Sequence, residues 1–320
     1  MKKLIPIMIA AAMVVVLFAA ADTGSEASEH YIGIHINGES VNNWKEVDKE
    51  NEHWKYDSHG LTITGDTIFE NYVPVTYLGN TNSYCIYFNN LNLILEADLT
   101  IIAPDTSGVY STAVFSIHDI TITGSGKLTI KANGEYDVKV GLNAGNNITI
   151  DGPTVEICAT NEIYAGQWDI SSFNMNSGEL NLTGGGELMA SSIFIRGGTI
   201  NMLSGGCLTA YNDQGEARIE MTGGKIYFAN VTDVNWSILY ATSMKSCVID
   251  LHDASGDNWV ADDHSVKAVS NGPVTIEVRQ NFNFMGMNIH HDDMPVVVSI
   301  ASITTIIIIG SIVTLYLRRH

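Results

Sequence analysis

Five stretches of this chain repeat one design, and no other feature constrains the fold as tightly. They are DITITGSGKLTIKA (residues 119–132), NITIDGPTVEICA (147–159), SFNMNSGELNLTG (172–184), SIFIRGGTINMLSGG (192–206) and RIEMTGGKIYFAN (218–230). Each holds a short alternating strand, a turn-forming link and a second short alternating strand. Aligning the first apolar position gives Ile120, Ile148, Phe173, Ile193 and Ile219, in steps of 28, 25, 20 and 26 residues. The second strands align at Leu128, Val155, Leu180, Ile200 and Ile226, offset by 8, 7, 7, 7 and 7 residues. The corner between the paired strands is thus nearly fixed, and the length variation falls in the excursion that follows.

Alternate side chains of a strand point the same way. The pairs Ile120/Ile122, Leu128/Ile130, Ile148/Ile150, Val155/Ile157, Phe173/Met175, Leu180/Leu182, Ile193/Ile195, Ile200/Met202, Ile219/Met221 and Ile226/Phe228 therefore face inward. Between them stand Thr121, Thr129, Thr149, Glu156, Asn174, Asn181, Asn201 and Glu220, facing solvent. A period of 20 to 30 residues with short strands is the pattern of a solenoid. One coil cannot bury its own apolar face, so neighbouring coils must. The competing fold is a sandwich of hairpins, against which the link in IDGPTV and the fixed corners argue. The expected fold is all-β, a right-handed parallel β-helix over residues 60–280, with a carboxy-terminal transmembrane helix.

The first coils are less regular. LTITG (residues 61–65) reads as the entry strand, LNLILEADLTIIA (91–103) supplies another, and DLTI (98–101) echoes DITI, which sets Leu99 against Ile120. An open solenoid end exposes core and backbone, so residues 22–59 are read as linker and amino-terminal cap. VKAVSNGPVTIEVRQ (266–280) reads as a last pair of strands, and residues 281–295 as an irregular polar stalk.

Both ends of the chain are set apart. Lys2 and Lys3 precede an apolar run closed by Ala19, Ala20 and Ala21, which reads as a secretory signal over residues 1–21, with an uncleaved anchor as the alternative. Residues 296–317 form an uncharged apolar run of 22 residues followed by Arg318 and Arg319. A helix of that length spans roughly 33 Å, enough for a bilayer, and the arginines mark the cytoplasmic side. The tail, residues 318–320, is too short for a signalling domain. The expected placement is a single-pass membrane protein with its bulk outside the cell.

Residues 22–295 carry 35 acidic side chains against 12 basic ones, a net charge of −23. Nucleic acid is a poor partner for such a surface. Cys85, Cys158, Cys207 and Cys247 contain no CxxC, which argues against structural zinc. Export permits disulfides, three complete pairings exist, and buried free thiols fit equally well.

Candidate sites follow from the pattern. Phe194 and Tyr227 break the polar rule of the outer faces and could stack on sugar rings, with Asn174 and Asn201 supplying hydrogen bonds. Asp253, Asp257, Asp262 and Asp263 crowd one loop, and oxygen-rich loops suit calcium. No other cofactor is expected. Asn147, Asn181, Asn230 and Asn235 head glycosylation-type triplets. Enzymes on such scaffolds need convergent carboxylates. Asp151, Glu156, Glu179 and Glu220 do not converge along the repeat, so no catalytic residue is assigned and no enzyme is expected. Gly184-Gly185-Gly186 reads as a turn.

HWKYDSHGLTITG (residues 53–65), followed by DLTI and ITGSGKLTI (122–130), resembles the β-helical carbohydrate-binding-domain-containing repeat proteins of gut bacteria and methanogenic archaea. In that family an aromatic-Tyr-Asp segment leads into the first Leu-Thr-Ile strand. Here those residues are Trp54, Tyr56, Asp57 and residues 61–63, and the resemblance covers residues 54–228. The hydrophobic span ending in Arg-Arg looks like archaeal surface proteins. The resemblance implies a surface protein that binds carbohydrate or mediates surface contact, with glycans or surface proteins as partners and the bilayer holding its carboxy-terminal helix. It brings no catalytic set. The alternatives are a polysaccharide lyase or hydrolase on the same scaffold, or a purely structural envelope protein.

Overall fold

The computed structural model describes residues 34–41, 49–50, 52–57, 59–77, 80–104, 110–133, 138–166, 171–262, 264–278, 281–284 and 287–290. The signal, residues 1–21, and the expected transmembrane helix, residues 296–317, lie outside them. No helix long and apolar enough to cross a membrane occurs among the described residues.

The chain is an all-β, right-handed solenoid. Each coil contributes one strand to each of three parallel sheets, called I, II and III in chain order. Six coils are complete. The third, for example, runs Val138–Ala144 in sheet I, Ile148–Asp151 in sheet II and Thr154–Ile157 in sheet III. The fourth runs Ala159–Ala165, Ser172–Met175 and Glu179–Leu182, and the fifth Glu187–Ala190, Ser192–Ile195 and Thr199–Met202. The sixth runs Cys207–Asn212, Glu216–Met221 and Gly224–Val231.

Sequence periodicity and strand register coincide in sheets II and III. Ile120, Ile148, Phe173, Ile193 and Ile219 are consecutive partners in sheet II. Leu128, Val155, Leu180, Ile200 and Ile226 are consecutive partners in sheet III. All ten are fully buried. Burying one such side chain contributes about 1.5–3 kcal/mol, and each ladder repeats that gain coil after coil.

One alignment needs correction. Leu99 is not the counterpart of Ile120. It pairs with Leu128 in sheet III, whereas Ile120 pairs with Leu91 in sheet II. The two strands share an Asp-x-Thr-Ile pattern, so local sequence cannot distinguish the faces; the preceding Leu91–Leu95 strand does.

The variable excursion hides sheet I. Its inner ladder is Ile86, Val114, Leu142, Ile163, Leu188, Leu208 and Leu239. Alternation fails here: Cys85 and Ile86 are consecutive and both fully buried, as are Ala113 and Val114. The outer side carries an aromatic cluster, with Tyr87 stacked on Phe115 at 5.2 Å and Tyr84 packed at 4.9 Å from Phe115.

Strands of reversed direction close parts of both ends. Ile34–Ile36 runs antiparallel on the first strand of sheet I, and Trp54–Asp57 on Gly60–Ile63 in sheet II. At the far end Ser265–Ala268 and Gly272–Val278 lie antiparallel on sheets I and III. They do not pair with each other as one hairpin would. Residues 281–290 differ from the irregular stalk expected there: Asn281–Phe284 and Met287–His290 form an antiparallel hairpin. The period-two pattern Asn-Phe-Asn-Phe suits a strand.

Side chains also clasp successive coils at the corners. Between sheets I and II, Asp119 Oδ1 accepts from Asn147 N at 3.0 Å, and Asn147 Oδ1 accepts from Ser172 N at 3.0 Å. Between sheets II and III, Asp66 Oδ1 accepts from Asp98 N at 3.1 Å, and Asp98 Oδ1 from Lys127 N at 2.9 Å. Gly124 turns one such corner at φ 106°, where a Cβ would meet Leu95 O at 2.2 Å. All four cysteines are free thiols, Cys85 buried and the other three half-buried.

Candidate functional site

The four residues expected to form one glycan site occupy two separate faces. On sheet II, Asn174, Phe194 and Glu220 are successive partners in register. On sheet III, Asn181, Asn201 and Tyr227 are successive partners. Outward parity was read correctly for all of them. It cannot say which sheet a strand belongs to, and so it merged the two rows.

The sheet II row is organised by two arginines. Arg196 lies over the Phe194 ring, its guanidinium carbon 5.1 Å from the centroid. Its NH1 donates to Asn174 Oδ1 at 2.9 Å and Asn176 Oδ1 at 3.4 Å. Asn174 in turn donates to Ser172 Oγ at 2.8 Å. Next to Phe194, Arg218 donates from Nε to Glu216 at 2.7 Å and from NH1 to Glu220 at 2.9 Å. The two glutamates raise the Arg218 pKa above its already high ordinary value. The result is a half-exposed aromatic ring flanked by a cation and carboxamides on one side and a carboxylate–guanidinium array on the other.

The sheet III row has similar chemistry. Asn201 Nδ2 donates to Asn181 Oδ1 at 2.8 Å and Glu179 Oε1 at 3.0 Å. The ammonium of Lys225 stands 5.7 Å from the Tyr227 ring centroid. On the same face, Lys127 of the second coil and Glu156 of the third pair at 2.6 Å. Rows of this kind are pre-ordered by the sheet, since neighbouring strands repeat at about 4.8 Å.

The acidic loop is described at three of its four carboxylates. Asp253 and Asp257 are exposed, and Asp263 lies outside the described residues. Asp262 is committed to its own turn: Oδ1 accepts from His264 N at 2.9 Å and Ser265 N at 2.7 Å, and Oδ2 from Ser265 Oγ at 2.9 Å. Those hydrogen bonds hold its carboxyl pKa below the ordinary value. Among the described residues, no group of three or more His, Cys, Asp and Glu side chains is placed to hold a metal.

The glycosylation-type asparagines fall into two classes. Asn230 and Asn235 are exposed, and Asn235 turns back on Asp233 through two 2.9 Å hydrogen bonds. Asn147 is half-buried in a corner, its amide bonded to Asp119 and its carbonyl to Ser172. Asn181 lies within the sheet III row and accepts from Asn201.

Sequence reasoning missed one chemically unusual group. Glu162, in the sheet I strand Ala159–Ala165, is fully buried and reaches the Gly184-Gly185-Gly186 corner of the next coil. The only sequence signal is a glutamate inside the otherwise small and apolar segment ATNEIYA.

The chain matches no protein-family model, no curated protein and no solved structure. The sheet geometry therefore carries the functional argument.

Proposed function

We propose that this protein is a surface-displayed solenoid that contacts carbohydrate through the outer faces of sheets II and III, anchored by the apolar run at residues 296–317. The observation that carries the reading is the pair of aromatic rows, Asn174–Phe194–Glu220 and Asn181–Asn201–Tyr227, each with a cation on its ring. A sugar offers an apolar C–H face and a rim of hydroxyls. An aromatic ring beside fixed amide and carboxylate groups matches both. The net charge of −23 over residues 22–295 disfavours polyanions and favours neutral or amino sugars.

Binding of the purified full-length chain to a broad glycan array, with and without calcium, tests this reading. Saturable binding to one neutral or amino-sugar class supports it. Absence of binding under both conditions removes it and leaves a structural or protein-contact role.

A further inference from the structure

The corner between sheets III and I differs from the other two in the group that holds it. At the other corners the side-chain acceptors are half-buried, as at Asp119 and Asn147, or exposed, as at Asp66 and Asp98. At the fifth coil the acceptor is Glu162, with no accessible surface. Its Oε1 accepts from Gly184 N at 2.5 Å. Oε2 is buried without a hydrogen-bond partner among the described residues. An ionised carboxylate would have both oxygens desolvated and only one side satisfied.

The three glycines are fitted to this side chain and its coil. A Cβ on Gly184 would meet Ala159 O at 2.2 Å, and one on Gly186 would meet Thr160 O at 2.5 Å and Glu162 Cγ at 3.1 Å. The corner thus packs on the backbone of the Ala159–Ala165 strand with the Glu162 side chain beneath it, and a Gly-Gly-Gly segment has little stiffness of its own. Its order depends on what it packs against.

The surroundings offer Glu162 no paired cation. On the preceding coil the partners Val140↔Asn161 and Leu142↔Ile163 bracket Gly141 beside it, and on the following coil Glu187 immediately precedes Leu188, the partner of Ile163. Lys139, further along the preceding strand, is exposed. Beyond Glu187, Cys207 Sγ lies 3.6 Å from Glu187 Oε1. Cys158 sits four residues before Glu162 at the end of the connection from sheet III. Glu187 adds negative charge and neither thiol adds positive charge.

We propose that Glu162 and the Gly184–Gly186 corner form a proton-operated clasp between the fourth and fifth coils: the neutral carboxyl seats in the corner, and its ionised form leaves and loosens it. Burial pushes the carboxyl pKa up to about 7, with the three glycine amides partly opposing the shift. The clasp therefore operates across neutral pH, whereas an ordinary glutamate is ionised well below it.

The test is hydrogen exchange of the full chain between pH 5.5 and 8.5, read on a peptide spanning residues 183–190 and corrected for intrinsic exchange. A peptide over residues 119–131 in the second coil serves as the internal reference. The wild type should lose protection in residues 184–186 relative to the reference as pH rises towards 7, by up to roughly tenfold per pH unit, and level off above it. Glu162→Gln, neutral at every pH, should show a flat profile. Parallel wild-type and Gln profiles overturn the proposal. A carboxyl titration of the wild type by isotope-edited NMR decides the matter without any variant. A transition near neutrality supports the clasp, and one near the ordinary glutamate value overturns it.

Discussion

At the scale of the residue, burial without a full set of partners sets the sign of the response to acid. Glu162 keeps its proton up to about pH 7 in the fold but releases it near 4.5 when the chain is unfolded. Its stabilising contribution is complete below pH 4.5 and is lost as pH climbs through 7. Urea unfolding of the wild type should therefore show stability falling over that interval, by an amount on the order of 3 kcal/mol. Glu162→Gln should remove this part of the pH dependence. An unchanged difference between the two proteins at pH 5 and pH 8 would refute the assignment. Parity makes a second contrast. Ile150→Ala, at a fully buried site, should cost about 2–5 kcal/mol. Thr149→Ala, one residue away on the outer face, should stay within about 0.5 kcal/mol. Thermal or denaturant melts of the two variants measure that difference.

At the scale of the element, the corner is as informative as the strand. Gly124 holds φ 106° with the Leu95 carbonyl close by, so Gly124→Ala strains the backbone and collides with the preceding coil. The variant should lose more than about 1 kcal/mol by chemical denaturation, the opposite sign from a glycine replaced at a compatible site. The legibility of the fold divides along the same lines. Sheets II and III could be read from residues 119–230 because their strands alternate strictly, and the aligned Ile and Leu positions are the register partners themselves. Sheet I could not, because consecutive positions such as Ala113 and Val114 both turn inward and the bend destroys period two. Outward orientation of Phe194 and Tyr227 was legible in the same way. Their separation onto different faces was not, since it follows from three strands per coil and the sequence pattern displayed only two. Glu162 escaped notice because its meaning lies in the Gly184 amide of the next coil, which no local window contains.

At the scale of the whole molecule, the proposed function makes the two rows, which lie on different sheets, independent contact surfaces. In glycan binding, Phe194→Ala and Tyr227→Ala should each weaken the interaction, and their effects should add, as they do for residues without shared partners. A double variant whose loss departs strongly from the sum would place both rings on one ligand. Charge acts at this scale as well. With −23 over residues 22–295, self-repulsion opposes the folded state, and its range shortens to about 8 Å at physiological salt. Raising sodium chloride from low to physiological concentration should raise the melting temperature, and a flat response would mean the charges are too dispersed to matter.

The arrangement of the ends bears on self-assembly. Among the described residues, Ser246–Asp250 closes sheet II at the far end with no reversed strand upon it, and Thr67–Phe69 does the same for sheet III at the near end. These open rungs belong to different faces. If two copies met head to tail with their faces aligned, Ser246–Asp250 would confront the short Lys49–Glu50 strand, which two reversals have returned to the coil direction, and Thr67–Phe69 would confront the reversed Gly272–Val278. Among the described residues, onward stacking would thus have only a two-residue strand to continue sheet II and a reversed strand to continue sheet III, a poor extension of the coil ladder.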